Sequence, residues 1–330
     1  MNAFHISNNL SQNKNKCLNN LNSSRFFGKN ILNIQNLSDP KISLTLNKQK
    51  ISQTNPNPIN EYIPEISKHL HSNEQVNTPN YNNIFLIQKS INNNTRSILI
   101  DWLIHIHYKM ELHPETLYLS INIIDLYTEK QRFDLVNYQL IGITSLFIAS
   151  KYEEIYSPEL NDFVYVVRKI YTKEDIIHME YLICKELKFD FMFNSSFRFL
   201  SYYYMLSGDT NIKTLHLAQL FLETAMLSVD IMKYNASLRA SSALFMARKI
   251  LLVRNNENKY DIDTGSNGII WNSELKLGSG YNLSELKYCM KKMILFFQSA
   301  IKENDLCLKH KFNSLEYSRV AMIFNKNNQR

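Results

Sequence analysis

Hydrophobic residues recur at helical spacing from about residue 62 to near the end of the chain, whereas residues 1–60 show no such period. The pattern predicts a short helix near residues 62–70 and then five helices in close order, at about 95–111, 115–129 and 134–153, from Ser157, and from Thr172 to about residue 187. The helix at 134–153 is apolar nearly all round, which predicts burial on every side. Gly142 within it should let a neighbouring helix approach closely.

A second set of five helices is predicted after residue 190, at about 195–206, 211–230, 235–253, 270–277 and 283–302. Five helices followed by five of similar order predict an all-α protein with a duplicated unit of about a hundred residues. The interpretation gives four parts: a tail over 1–60, a first repeat with its preceding helix over 61–190, a second repeat over 191–302 and a C-terminal segment over 303–330.

The composition supports a helical protein without common catalytic motifs. Only 7 glycines and 7 prolines occur in 330 residues, and no proline follows Pro158. Glycine-rich phosphate loops and the G-x-S-x-G motif are absent from the sequence. His105 and His107 do not form an H-E-x-x-H motif, so we expect no metal site and interpret both as surface or partner-facing histidines. We expect neither catalytic residues nor a cofactor.

The positive charge is concentrated in the first 60 residues. They carry +6 of the formal net charge of +7 and contain fifteen asparagines, which predicts a disordered tail. The remaining 270 residues are nearly neutral, so we expect the folded part not to bind nucleic acid. Four cysteines without C-x-x-C spacing, and apolar runs too short to cross a bilayer, predict a soluble protein of the nucleus and cytoplasm that binds no membrane.

Charged residues inside apolar helical runs need partners. Asp125 lies within such a run and Arg96 begins another, so we interpret them as a buried salt bridge between the first two of the five helices. Lys151 ends the apolar helix at 134–153. It either complements the C-terminal dipole of that helix or is directed at a partner.

Several long motifs occur in an order and spacing that resemble the cyclin family, most closely the A/B-type (G2/mitotic) cyclins. They are residues 95–103 (TRSILIDWL), 115–119 (ETLYL), 139–142 (QLIG), 147–159 (FIASKYEEIYSPE) and 171–173 (YTK). Residues 311–314 (KFNS) and 317–321 (YSRVA) are similar to the C-terminal segment of mitotic cyclins.

This resemblance implies two tandem five-helix cyclin folds with an N-terminal docking helix and no active site. It implies a regulatory subunit that binds and activates a cyclin-dependent protein kinase in G2/M control. The kinase-binding residues implied by the matching positions are Lys151, Glu180, Leu140, Phe189, Tyr62 and Ile66. A mutual bridge between Lys151 and Glu180 remains an alternative or additional role.

The resemblance also implies a patch on the first cyclin-box helix that docks kinase substrates and inhibitors, formed by Ile98, Leu99, Trp102 and Gln139. Three positions depart from the family pattern, because Thr95 replaces a methionine, His105 an acid and Tyr138 a leucine. A degraded destruction signal in the tail, recognised by ubiquitin-ligase machinery, is indicated by Arg25, Ile31 and Asn33.

The rival interpretation is a cyclin-fold transcription component, either a cyclin for a transcriptional kinase or a nucleic-acid-binding relative. The near-neutral folded part and the Lys-Tyr-Glu-Glu run at 151–154 favour the mitotic type.

Overall fold

The computed structural model of the chain describes residues 58–168, 170–255, 270–302 and 306–324. Every regular element within these ranges is a helix. The predictions of a disordered tail and of a destruction signal at Arg25, Ile31 and Asn33 lie outside the described residues.

The chain divides into two units, Met1–Ile63 and Pro64–Arg330. The helix predicted near residues 62–70 is present as α1, Pro58–Ser72, and it begins in the first unit. Within the second unit, α1 is tied to distant parts of the chain: the Ser67 hydroxyl donates to the Gly278 carbonyl at 3.2 Å, and the Asn194 amide donates to the Leu70 carbonyl at 3.2 Å.

The first repeat consists of α2 (Asn93–Lys109), α3 (Pro114–Lys130), α4 (Tyr138–Glu153), α5 (Leu160–Val166) and α6 (Lys173–Glu186). Local signals set the helix starts: the Asn92 side chain accepts from the Thr95 amide at α2, and Thr172 accepts from the Asp175 amide at α6. A 3₁₀ turn, Leu135–Asn137, precedes α4, so this helix begins later than predicted.

Helix α4 is the centre of the first repeat, as its all-round apolar pattern predicts. It packs against α2, α3 and α6, and its residues from Leu140 to Ser150 are buried. At Gly142 a Cβ atom would lie 2.8 Å from Leu99 Cδ1 of α2. The close helix approach expected at this glycine is therefore confirmed.

The second repeat consists of α7 (Ser196–Leu206), α8 (Ile212–Met226), the one-turn α9 (Val229–Met232), α10 (Ala236–Asn255), α11 (Ser273–Ser279) and α12 (Leu283–Ala300). Helix α10 has the central place here, because it packs against α7, α8 and α12. Helix α13 (Cys307–Phe312) and a 3₁₀ turn (Val320–Phe324) follow.

Two further predicted helix limits are wrong. The fourth helix of the first repeat does not begin at Ser157: Glu159 is its N-cap and Asp162 completes the capping box. The Ser157 hydroxyl instead lies 2.9 Å from that of Ser150. The helix predicted at 211–230 stops at Met226, and α9 begins after Leu227 and Ser228.

The expectation of surface histidines fails for His107, which is buried in α2. Its Nε2 donates to the His113 carbonyl at 2.8 Å. Burial, assisted by the Lys311 ammonium, lowers the pKa of His107 to about 3, so this imidazole is neutral at physiological pH.

The C-terminal segment returns to the first repeat. Asp101 of α2 is buried and accepts the backbone N–H groups of Cys307 and Leu308 at 3.3 and 3.4 Å, at the start of α13. A carboxylate at this position stabilises the unpaired N–H groups of a helix start. The segment therefore contacts both repeats, since α13 also packs against α8.

Candidate functional site

Helices α4 and α6 pack side by side and bring Lys151 and Glu180 together. Lys151 lies in the last turn of α4, and its Nζ donates to Glu180 Oε1 of α6. The Lys151 ammonium also lies 4.2 Å from the centroid of the Phe147 ring. The Lys151 side chain is 42% exposed and the Glu180 side chain 21% exposed, so both can still form hydrogen bonds with solvent or a partner.

Large apolar side chains are exposed beside both charges. Tyr152 follows Lys151, and Ile177 and Tyr181 flank Glu180 along α6; each of the three is more than half exposed. We call the surface formed by these five residues the α4–α6 surface. Exposed aromatic and aliphatic groups around a charged pair are typical of a protein-binding surface.

Phe189 lies after the end of α6 and is 72% exposed. Lys188 and Phe189 both have left-handed backbone, with φ of 54° and 57°. Non-glycine residues adopt this conformation at a cost of about 1 kcal/mol or more. The backbone is stabilised by the Phe189 N–H, which donates to the Cys184 carbonyl at 3.0 Å.

The other residues expected at the kinase interface differ in accessibility. Tyr62 and Ile66 of α1 are exposed. Leu140 is only 8% exposed and belongs to the core of the first repeat. Its side chain offers little surface for the apolar contact that the sequence interpretation assigned to it.

The patch expected to dock substrates is largely below the surface. Leu99 and Trp102 are buried in the core of the first repeat, and Leu99 lies directly against Gly142 of α4. Ile98 and Gln139 are half-buried, so the exposed part of the patch is limited to these two of its four members.

Arg96 and Asp125 form the ion pair that the sequence interpretation expected. Arg96 Nε donates to Asp125 Oδ1 at 2.7 Å and Nη2 donates to Oδ2 at 2.6 Å, with neither side chain exposed. The pKa of Arg96 lies above its usual range: burial alone lowers it, but the adjoining carboxylate outweighs burial. This pair is structural, since each charge is compensated by the other.

Two further partners of this pair carried no signal in the sequence. The Tyr81 hydroxyl donates to Asp125 Oδ2 at 3.0 Å, and Arg96 Nη1 donates to the Met226 carbonyl at the end of α8 at 2.7 Å. The second contact joins the two repeats. A different pair, Lys311 and Glu223, was missed although Glu223 shows the same signal as Asp125, an acid inside an apolar helical run.

The described residues contain no group of three or more His, Cys, Asp or Glu side chains arranged to hold a metal ion. Within the same ranges, no helix combines the length and apolarity needed to cross a membrane.

Comparison with known protein families decides the relationship. The cyclin N-terminal domain family matches residues 65–192, and the cyclin C-terminal domain family matches residues 195–326. The chain belongs to the cyclin family. It is 31% identical over 274 residues to human G2/mitotic-specific cyclin-B2 and 33% identical over 266 residues to G2/mitotic-specific cyclin-A of Patella vulgata.

These matches cover 82% and 80% of this cyclin, but only 64% and 58% of the two relatives, so the chain spans less than two thirds of their length. The fold is also similar to the X-ray structure of a viral cyclin from herpesvirus saimiri, with a TM-score of 0.61 at 18% identity. That match covers 74% of this chain and 99% of the viral cyclin. The two repeats are thus tandem cyclin folds, most similar in sequence to the A and B types.

Proposed function

We propose that this cyclin is a regulatory subunit that binds and activates a cyclin-dependent protein kinase in G2/M cell-cycle control, and that it catalyses no reaction itself. Its similarity to G2/mitotic-specific cyclins supports the class of partner. The observation that supports the binding site is the half-exposed Lys151–Glu180 pair, with exposed aromatic residues beside it.

The pair suits a protein interface because only some of its hydrogen-bond donors and acceptors are used within the chain. A lysine ammonium has three donors and a carboxylate has about four acceptor positions, while the bond between Lys151 and Glu180 uses one of each. A partner covering the α4–α6 surface would remove water from both groups and could bond to the remaining positions. Tyr152, Tyr181 and Phe189 would supply apolar contact, and Ile66 would add contact from α1.

Activation follows if the cyclin prefers one state of the kinase. A rigid surface that binds the active arrangement of a regulatory helix more tightly than the inactive one shifts the kinase population towards activity. Helices α4 and α6 provide such rigidity, because their facing sides lie within the buried core of the first repeat.

The decisive experiment compares kinase affinity with fold stability for Lys151→Ala and Glu180→Ala. If the pair meets the kinase in a desolvated interface, each replacement should weaken binding by about 2–5 kcal/mol. The melting temperature should barely change, because an exposed pair contributes about 0–1 kcal/mol to stability. Lys233→Ala is the matched control: Lys233 forms an exposed 2.8 Å pair with Asp230 in the second repeat. Unchanged affinity with a lowered melting temperature would assign the Lys151–Glu180 pair to structure alone.

The rival function is a cyclin of a transcriptional kinase or a nucleic-acid-binding relative. Residues 61–330 carry a net charge of only +1, which favours the kinase-binding role over nucleic-acid binding. Adding the purified chain to a panel of inactive kinases separates the two kinase classes. Stimulation of a cell-cycle kinase supports the proposal, and stimulation restricted to a transcriptional kinase contradicts it.

We also propose that substrates and inhibitors of the kinase dock at Ile98 and Gln139, the accessible part of the predicted patch. The tail over 1–60 is proposed to connect the protein to ubiquitin-ligase machinery, and the nucleus and cytoplasm are its proposed locations. Deleting residues 1–57 should then lengthen the lifetime of the protein in dividing cells without reducing kinase activation.

A further inference from the structure

A small cavity lies at the junction of the two cyclin repeats. Its wall includes Tyr118 and Asn122 of α3 in the first repeat, Met226 and Arg239 of the second repeat, and Tyr81 of the segment before α2. The centre of a water-sized sphere can move within about 10 Å³ of this cavity, which leaves room for a single water molecule.

Three residues that line this cavity each carry a buried polar atom with no hydrogen-bond partner among the described residues: Arg239 Nε, Asn122 Oδ1 and the Tyr118 hydroxyl. Their residues are 5%, 3% and 5% exposed. None of the salt bridges among the described residues includes Arg239, although its Nη1 contacts the sulfur of Met232. Buried polar groups are almost always hydrogen-bonded, so three at one cavity indicate a shared partner.

The chemistry of the three groups selects the kind of occupant. Arg239 Nε can only donate, and Asn122 Oδ1 can only accept. The orientation of the Asn122 amide is fixed, because its Nδ2 donates to the Asn77 carbonyl at 3.0 Å and a flipped amide would set two oxygens against each other. An anion in the cavity would face the Asn122 oxygen, whereas a water molecule can accept from Arg239 and donate to Asn122.

We propose that the cavity binds one water molecule that bridges Arg239 Nε in the second repeat and Asn122 Oδ1 in the first repeat, within reach of the Tyr118 hydroxyl. The bridge satisfies all three groups through one occupant. Burial lowers the pKa of the Arg239 guanidinium, and the Glu74 carboxylate acts in the opposite direction from a longer range.

The water site extends a polar junction that already joins the repeats. Tyr81 lines the cavity and donates to Asp125, and Met226 lines it and accepts from Arg96 through its carbonyl. The cavity therefore adjoins the buried ion pair of the first repeat. Together the two sites fix α3 relative to α8 and α10 through directional bonds, which restrict orientation more than apolar packing alone does.

A crystal structure of the full chain at a resolution that shows ordered water tests the occupant directly. We expect a density peak within hydrogen-bond distance of both Arg239 Nε and Asn122 Oδ1. An empty cavity would overturn the proposal. A second experiment soaks the crystals in bromide. An anomalous peak in the cavity would identify an anion in place of water and would contradict the proposal.

A double-mutant cycle tests the bridge in solution. Arg239→Met and Asn122→Leu should each lower the melting temperature by several degrees, because each leaves the opposite group without its full set of bonds. The double variant should lose clearly less than the sum of the single losses. The bond from Asn122 to Asn77 is lost whenever Asn122 is replaced, with or without Arg239→Met, so it does not contribute to the difference from additivity. Additive losses would show that the two residues share no bridging molecule.

Discussion

Lys311 Nζ lies 2.6 Å from Glu223 Oε1, and neither side chain is exposed. The pair connects α13 of the C-terminal segment to α8 of the second repeat. Gln219 also donates to Glu223 Oε1, at 2.9 Å, and the Lys311 ammonium lies 5.1 Å from the centroid of the Tyr317 ring. Both charges are thus fully desolvated and depend on each other for compensation.

Replacing one partner of this pair should strongly destabilise the fold. Lys311→Met leaves the Glu223 carboxylate buried without a cation, and we expect a loss of about 3–5 kcal/mol in the free energy of unfolding. The double variant Lys311→Met/Glu223→Gln should lose less, because no unpaired charge remains. Urea unfolding measures both, with Lys233→Ala as the exposed-pair control. Equal losses in the single and double variants would contradict the pairing argument.

Arg96→Lys tests the geometry of the other buried pair at constant charge. Arg96 makes three bonds, two to Asp125 and one to the Met226 carbonyl, through a planar group that lysine cannot reproduce. We expect the Arg96→Lys variant to lose about 2 kcal/mol or more in unfolding free energy, since at least one buried acceptor stays unpaired. A melting temperature equal to that of the unmodified chain would show that charge alone suffices.

The end of α8 shows why part of the fold could not be predicted from sequence. The helical spacing of apolar residues continues without a break through residues 211–230, and this stretch contains neither glycine nor proline. The helix nevertheless stops at Met226. Two groups of the first repeat bond at the break: Arg96 donates to the Met226 carbonyl, and the Asn93 side chain accepts from the Val229 N–H at 3.1 Å. These partners lie more than a hundred residues away, so no local pattern reveals the break.

The candidate site shows the same division between local and distant information. The apolar period placed Lys151 at the end of α4, and the acid within an apolar run identified Asp125, because both signals are local. Burial of Leu140 could not be predicted, since it depends on how tightly neighbouring elements cover one side of α4. The orphan groups of Asn122 and Arg239 likewise arise only where the two repeats meet.

His107 should make the fold sensitive to mild acid. Its folded pKa is lowered to about 3, while an unfolded histidine titrates near 6.5. Stability from the neutral imidazole is complete above about pH 6.5 and is lost as the pH falls towards 3, by about 1.4 kcal/mol per unit. Between pH 7 and pH 5, urea unfolding should show a loss about 2 kcal/mol greater for the unmodified chain than for His107→Gln. Parallel pH profiles would exclude His107 as the cause, and replacing the exposed His69 with Gln is the matched control.

Replacing Phe189 should weaken kinase binding while leaving the stability of the fold nearly unchanged. Its ring is largely exposed and its backbone is left-handed, so Phe189→Gly removes little packing and relieves backbone strain. We expect the free energy of unfolding to stay within about 1 kcal/mol of the unmodified chain. Kinase affinity should fall by about 2 kcal/mol if the ring is an interface anchor. Leu277→Ala, at an exposed apolar residue of the second repeat, is the control; a loss of affinity there as large as at Phe189 would argue against a specific anchor.

Gly142→Ala tests the close approach of α4 to α2. The added methyl group would lie 2.8 Å from Leu99 Cδ1, too close for an ordinary contact, and Leu99 is buried with little room to move. Overpacking of this kind costs about 1–3 kcal/mol, so the melting temperature should fall. Leu99→Ala alone should also destabilise the fold, by leaving a cavity. In the double variant the new methyl group no longer meets the leucine, so its stability should be close to that of Leu99→Ala, with no further loss from Gly142→Ala. A full additional loss in the double variant would mean that the glycine is required for a reason other than contact with Leu99.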